Sequence, residues 1–402
     1  TFISSGGMNP QFAEAFNDVD LCLRIREKGY NIVFTPHSTI RHHESVSVGP
    51  PLSDSRRFTF RNEINLFLKL HQGSIEKESF YSTNFSLTPK YYQLANPPRN
   101  NFHFRPFQNK KSSKEKPKHI WKNKNINTKE EICIFSHYDV KNEIQEHVIY
   151  YLNELNKLNF SIFFVSSCPH LKLTERSKIN KITSAIICTN GNGRDWGNYA
   201  MGYNYSLGII KAKNILFTND SIWGPITSLK PFFNFAEQSS AEILGLTDSY
   251  QTEYHLQSYF IYCKESVCNS KLFEYYFEKF IPQISKQDII QQNEIGFSRL
   301  FRNSGYQLDA FFRYSDIKKS TIAKKVFGYD LVQKGILLNS THHFSKLMIE
   351  DLEFPFIKIE LVKVNPSQVP DIRSIILSVR CKNYDLFKIL QSELVKLLPV
   401  NQ

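Results

Sequence analysis

Four short apolar runs constrain what this chain can fold into. They are Ile132-Cys133-Ile134-Phe135-Ser136, Phe160-Ser161-Ile162-Phe163-Phe164-Val165, Ala185-Ile186-Ile187-Cys188 and Ile215-Leu216-Phe217-Thr218. Each is shorter than a stable helix and none alternates apolar with polar residues, which is the pattern of strands buried on both faces. Between them lie segments with helical spacing, one running through Tyr150-Tyr151-Leu152 to Leu155. Strands alternating with helices predict an α/β fold, a mainly parallel sheet flanked by helices. Such sheets carry their sites at the carboxyl ends of the strands.

The stretch Asn190–Pro225 is where chemistry is expected. A glycine-rich turn delivers Arg194 and Asp195, a helix-like segment follows, and the run ending at Thr218 presents Asn219-Asp220-Ser221. A flexible turn with an arginine and an aspartate, then a helix, then a buried strand offering a carboxylate, suits a sugar-nucleotide pocket. The formal charge of +12 favours anionic partners without choosing among them. The seven cysteines are scattered with no Cys-x-x-Cys pair, which argues against zinc and fits free thiols in a reducing compartment. No apolar run approaches the roughly 20 residues of a membrane-spanning helix.

The phrases Phe135-Ser136-His137-Tyr138-Asp139, Gly193-Arg194-Asp195-Trp196-Gly197, Asn219-Asp220-Ser221-Ile222-Trp223-Gly224-Pro225, Gly245-Leu246-Thr247-Asp248 and His255-Leu256-Gln257-Ser258-Tyr259 resemble the rhamnan synthesis protein F family. The likeness spans about residues 130–395. It implies a GT-A-like glycosyltransferase of bacterial cell-wall, capsule or O-antigen assembly. The donor would be a nucleotide-sugar such as dTDP-rhamnose, and the acceptor a lipid-linked glycan at the inner face of the plasma membrane.

In GT-A enzymes the strand end holding Asp220 carries a metal-binding Asp-x-Asp, reduced here to Asn219-Asp220. The expected donor wall is Arg194 against the diphosphate, Asp195 against ribose or sugar hydroxyls, and Asn219, Asp220 and Ser221. An internal echo suggests the base. Asn17-Asp18-Val19-Asp20 reaches Gly29-Tyr30 with the spacing by which Asn293-Glu294 reaches Gly305-Tyr306. Glu294 is therefore the expected general base, with Asp248 the alternative. Acceptor contacts are expected from His255, Trp223 and Lys358. The paired His342 and His343, with no acidic neighbour, read as structural.

Earlier in the chain, Gly6-Gly7-Met8, Phe12, Phe16, Asn17-Asp18-Val19-Asp20-Leu21-Cys22, Arg24, Pro36 and His42-His43-Glu44-Ser45 resemble the last third of a family 2 glycosyltransferase. That resemblance implies Asp18 as a catalytic base and His42 as support for a magnesium or manganese ion, an ion that Asp220 would hold in the second domain. Its nucleotide-binding half would lie before Thr1, so the chain is expected to be the later part of a longer polypeptide, and this first domain is not expected to bind a donor. The expected domains are a family 2 remnant over 1–95, a basic linker over 96–131 and a glycosyltransferase domain with a helical tail over 132–402.

The linker's lysines, from Lys110 to Lys129, suit a solvated hinge or a strip against an anionic membrane face. Two rival functions differ in class. One is a non-catalytic docking module of a membrane assembly complex. The other, a nucleic-acid binder, is disfavoured because no aromatic platform or recognised fold accompanies the charge.

Overall fold

The computed structural model describes residues 1–13, 15–37, 39, 54–76, 116–123, 130–206, 212–278, 280, 282–283, 285, 288–324, 327–370 and 372–397. The chain divides into two compact units. The first is Thr1–Phe102 with Ser270–Tyr276 and Leu300–Gln307, and the second is His103–Asn269, Phe277–Arg299 and Leu308–Gln402.

In the first unit, helix α1 (Asn17–Glu27) has Asp18 and Asp20 in its first turn and Arg24 and Arg26 in its last, charges that complement the helix dipole at both ends. Gly29 stops it at φ 82°, as the sequence suggests. Helix α2 (Asp54–Glu76) supplies Phe67, which stacks on Phe16 and meets Phe12 edge-on. Asp20 is fully buried here. Its Oδ2 accepts from Arg24 Nε (2.8 Å) and its Oδ1 pairs with His71 Nε2 (2.8 Å). Glu63 accepts from the Ala13 and Ala15 amides (2.6 and 2.7 Å). Asn31–Phe34, an apolar run that by sequence reads as a short strand, has no strand geometry and its side chains are exposed.

The second unit is a mixed α/β layer structure around one mostly parallel sheet flanked by helices. Its strands are β1 (His119–Lys122), β2 (Glu131–His137), β3 (Ser161–Ser166), β4 (Ala185–Cys188), β5 (Asn214–Asn219), β6 (Ile222–Trp223), β7 (Ile243–Ser249), β8 (His255–Leu256), β9 (Phe260–Cys263), β10 (Leu308–Phe312) and β11 (Ile357–Lys358). The order across the main sheet is β1-β4-β3-β2-β5-β9-β7-β10, with β8 on β7. β4, β3, β2 and β5 run parallel. β9 reverses against β5, and β7 reverses again against β9, so β7 and β10 resume the common direction. Six of the eight strands on that path therefore point one way. All four apolar runs of the sequence are strands with every central side chain buried.

His119–Lys122, counted with the linker in the sequence, is instead an edge strand paired antiparallel with β4. Its Trp121 carries the Arg176 guanidinium 3.9 Å from the ring centroid.

Helix α3 (Glu146–Lys157) buries His147, Val148, Tyr151, Leu152 and Leu155 on one stripe. Helix α4 (Leu173–Ile179) lies between β3 and β4 in the chain. Helix α5 (Arg194–Ser206) lies across β2 and β3, and Gly202 is what allows it. A Cβ there would stand 2.5 Å from Ile134 Cγ2 and 2.9 Å from Val165 Cγ2. The tail forms helices Ile372–Lys382 and Tyr384–Leu397. Asn383 between them accepts from Leu386 N (3.0 Å) and donates to Tyr150 Oη (2.8 Å), which ties the tail to α3. The cysteines are free thiols. No described helix is long and apolar enough to cross a membrane.

Candidate active site

The carboxyl ends of β2 and β5 and the amino end of α5 meet at a cleft of about 800 Å³. The turn before α5 requires glycine. Gly191 and Gly193 both sit at φ 78°, and Arg194 follows at φ 50°, so the backbone doubles back to present Arg194 and Asp195 at the cleft wall. One network fixes Asp195. Ser136 Oγ, near the end of β2, donates to Asp195 Oδ1 (2.7 Å) and accepts from Asn198 Nδ2 (3.0 Å). Asn198 also donates to Ser167 Oγ (2.9 Å) and accepts from Thr189 Oγ1 (3.0 Å). Asn198 and Ser136 were not expected in the site. The sole signal in the sequence is Asn198 one helical turn past Asp195.

At the end of β5, Asn219 is buried and spends its Oδ1 on the Ser221 amide (3.1 Å) and hydroxyl (2.7 Å). Asp220 faces the cleft with 16% of its side chain exposed, and its Oδ2 accepts from the Tyr138 amide (2.8 Å). Burial pushes the Asp220 carboxyl up to about 8, opposed by the Tyr138 hydrogen bond and reinforced by the charges of Asp195 and Asp139. Burial also raises Asp195, against the Ser136 hydrogen bond and the charge of Lys358. His137 is held neutral by burial, its imidazole depressed to about 4, and bonds Ser166 Oγ through Nδ1 (2.9 Å).

Two distant segments close the cleft. β11 pairs with β6, setting Lys358 opposite Ile222. Its Nζ donates to Ser221 Oγ (3.0 Å) and lies 3.9 Å from the Tyr259 ring centroid. Glu294 ends a π-helical segment, Ile289–Glu294, and its Oε1 accepts from the Ser258 amide (2.6 Å). The two acids of the internal echo are not placed alike: Asp18 stands in the first turn of its helix, whereas helical geometry runs through Glu294 into Ile295–Asn303. His342 and His343 also line the cleft. Burial lowers His343, whose Nδ1 faces Asn339 O at 3.2 Å.

The cleft thus gathers Arg194, Asp195, Asn219, Asp220, Ser221, Glu294 and Lys358. The other expected residues are elsewhere. Asp248 is 4% exposed and its Oδ1 accepts from the Tyr314 amide (2.6 Å). It caps the start of the Tyr314–Lys324 helix and is not among the residues lining the cleft. His255 is 6% exposed with Nδ1 against Glu253 O (2.8 Å), and Trp223 is 1% exposed, edge-on to His147; neither lines the cleft. Asp18 belongs to the first unit, exposed, and accepts locally from Val19 N (2.8 Å). The buried acid of that pair is Asp20. His42 lies outside the described residues.

The residues at Asp220 do not fit a resident magnesium or manganese ion. Such an ion wants a shell of oxygen ligands including one or two carboxylates. Here Asp220 offers one carboxylate already taking an amide, and the Asn219 oxygen is committed to Ser221. The Ser221 hydroxyl in turn accepts from the Lys358 ammonium (3.0 Å). Among the described residues no group of three or more His, Cys, Asp or Glu could hold an ion.

A family model described as rhamnan synthesis protein F matches residues 162–383. The virulence protein VirA of Vibrio anguillarum (strain ATCC 68554 / 775) is 29% identical over 231 residues, covering 53% of this chain and 74% of that protein. Protein y4gI of Sinorhizobium fredii is 34% identical over 97 residues, which is 24% of this chain and 11% of its own length. The chain therefore spans about a tenth of the length of that relative. Among solved structures, the glycosyltransferase GlyE of Streptococcus pneumoniae TIGR4 superposes with a TM-score of 0.35 at 12% identity, over 69% of this chain and 66% of that one. TarS 1-349 of S. aureus in complex with UDP gives 0.29 at 14% identity, over 66% and 91%.

Proposed function

The chain belongs to the rhamnan synthesis protein F family, and on that footing we propose that it is a GT-A-like glycosyltransferase of surface-polysaccharide assembly. It moves a sugar, rhamnose in the first instance, from a nucleotide-sugar such as dTDP-rhamnose to a lipid-linked glycan at the inner membrane face. The single observation that carries the reading is the meeting of Arg194, Asp195, Asp220 and Glu294 in one cleft at the carboxyl ends of β2 and β5.

The chemistry follows from those groups. An acceptor hydroxyl attacks the anomeric carbon; the new carbon–oxygen bond forms as the bond to the diphosphate oxygen breaks, with inversion. Glu294 takes the hydroxyl proton on the carboxylate that the Ser258 amide holds in place. The departing diphosphate carries away the electron pair, and Arg194 at the mouth meets its charge. Asp195, fixed by Ser136, accepts from ribose or sugar hydroxyls. Asp220, held largely protonated by its surroundings, can donate to a donor oxygen as well as accept.

The test is transfer or hydrolysis across a panel of nucleotide-sugars by the full chain, with Glu294→Gln and Asp248→Asn alongside. Loss of the base lowers turnover by about 10²–10⁴-fold, so E294Q should fall in that range while D248N stays within a few-fold. Near-wild-type turnover by E294Q with loss in D248N would reverse the assignment.

A further inference from the structure

The cleft is rich in carboxylates, yet it is proposed to receive a diphosphate. Asp139, Asp195, Asp220 and Glu294 all line it. A polyanion entering such a site needs fixed positive charge close to where its own charge lies. The oxygen ligands at the end of β5 do not make a metal site, for the reasons of hydrogen bonding given above. Lys358 is held in the same place through both its backbone and its side chain. The β6–β11 pairing sets its backbone opposite Ile222, the Ile359 amide donates to Ser221 O (3.0 Å), and the ammonium donates to Ser221 Oγ (3.0 Å). The Tyr259 face lies 3.9 Å beneath it, and the Tyr259 hydroxyl is anchored to Thr247 Oγ1 (2.7 Å). An ammonium over an aromatic face is a weakly solvated, well-aimed cation. Arg194, at the amino end of α5, and Lys363 also line the cleft, so Lys358 is the fixed member of a group of cations available to a diphosphate.

We propose that Lys358 is the cation that binds the donor diphosphate and meets its charge on departure, so that the site works without a divalent ion. This assigns Lys358 to the donor rather than to the acceptor, and it rests on the reading of the cleft as a donor site. Ser221 relays the position. It donates to Asn219 Oδ1 while accepting from Lys358, so the Asn219-Asp220-Ser221 stretch positions a lysine.

The experiment titrates the full chain with inorganic pyrophosphate by calorimetry, in excess EDTA and in magnesium, for wild type, Lys358→Met and Lys358→Arg. Thermal melts check that each variant is folded. The expected result is wild-type binding in EDTA, weakened at least tenfold in K358M and within about threefold in K358R. Binding by wild type only with magnesium, or unchanged binding by K358M in EDTA, would overturn the proposal, and the first of these needs no variant to fold. The nucleotide-sugar panel separates the two readings. Lysine-dependent pyrophosphate binding with no sugar transferred removes the transferase reading alone. Transfer that requires magnesium and survives K358M removes the lysine assignment alone.

Discussion

Gly202 sets two general rules against each other, and the structure says which wins. In the interior of a helix, Gly→Ala ordinarily stabilises by about 1 kcal/mol through helix propensity and unfolded-state entropy. At Gly202 the added methyl would stand 2.5 Å from Ile134 Cγ2 and 2.9 Å from Val165 Cγ2. Carbon atoms in good contact sit about 3.5–4.0 Å apart. Either α5 lifts from β2 and β3 by about 1 Å, or both branched side chains leave their rotamers. Overpacking of this kind costs about 1–3 kcal/mol, so Gly202→Ala should be net destabilising, by up to about 2 kcal/mol.

Gly296 is the internal control. A Cβ there meets only Gln291 O, at 3.4 Å, so Gly296→Ala should be neutral or stabilising by up to about 1 kcal/mol. Urea denaturation followed by circular dichroism measures both, as a shift in midpoint at unchanged slope. If G202A raised the midpoint as G296A does, the close approach of α5 to the sheet would be wrong. The placement of Arg194 and Asp195 at the strand ends would fall with it.

Two further outcomes are expected. Asp220 has a folded value of about 8 against 3.8 as a free side chain, so the folded state holds its proton through that window and stability falls as pH rises. His137, depressed to about 4, works in the opposite sense but is finished by its ordinary 6.5. Between pH 6.5 and 8 unfolding free energy should therefore drop by up to about 1.4 kcal/mol per pH unit, and Asp220→Asn should flatten that slope; an unchanged slope in urea titrations would refute the burial argument. In the first unit, Asp20→Ala removes the buried carboxylate shared by Arg24 and His71, although Arg24 keeps its bond to the Gly7 carbonyl, and should cost about 1.5–3 kcal/mol, whereas Asp18→Ala, losing a local helix-start bond, should cost about 1 kcal/mol or less in the same assay.

How far the fold was legible depends on which interactions carry each element. The buried runs of β2, β3, β4 and β5 announce themselves because both faces of each strand are covered, which demands continuous apolar sequence. Trp121 and its neighbours in β1 carry no such signal. An edge strand needs only backbone partners, and the polar composition around it reads as linker. Asn31–Phe34 fails in the opposite direction, since its branched apolar residues look like a strand but find no partner strand among the described residues. The α1 stop at Gly29 was legible because a left-handed residue there leaves glycine as the natural choice.

One side of the cleft was legible for a different reason from the rest of it. Arg194, Asp195, Asn219, Asp220 and Ser221 are brought together by one strand–turn–helix unit and the strand after it, and local order suffices to see it. Lys358 and Glu294 arrive by long-range pairing, β11 on β6 and the Ser258 amide on a π-helical carboxylate. Neither leaves a local pattern. The same logic explains the misplaced acids and aromatics. Asp248, His255 and Trp223 lie within or beside conspicuous motifs, yet each spends its polar or apolar surface on structure: a helix cap, a backbone carbonyl, the face of His147. A motif marks where the chain is constrained, and constraint by folding and constraint by chemistry look alike until the cleft is built. The two acids differ in solvent access: Asp220 keeps an exposed edge next to Ser221, which a lysine 137 residues further on holds, while Asp248, at a strand end in the same sheet, is closed over by Tyr314.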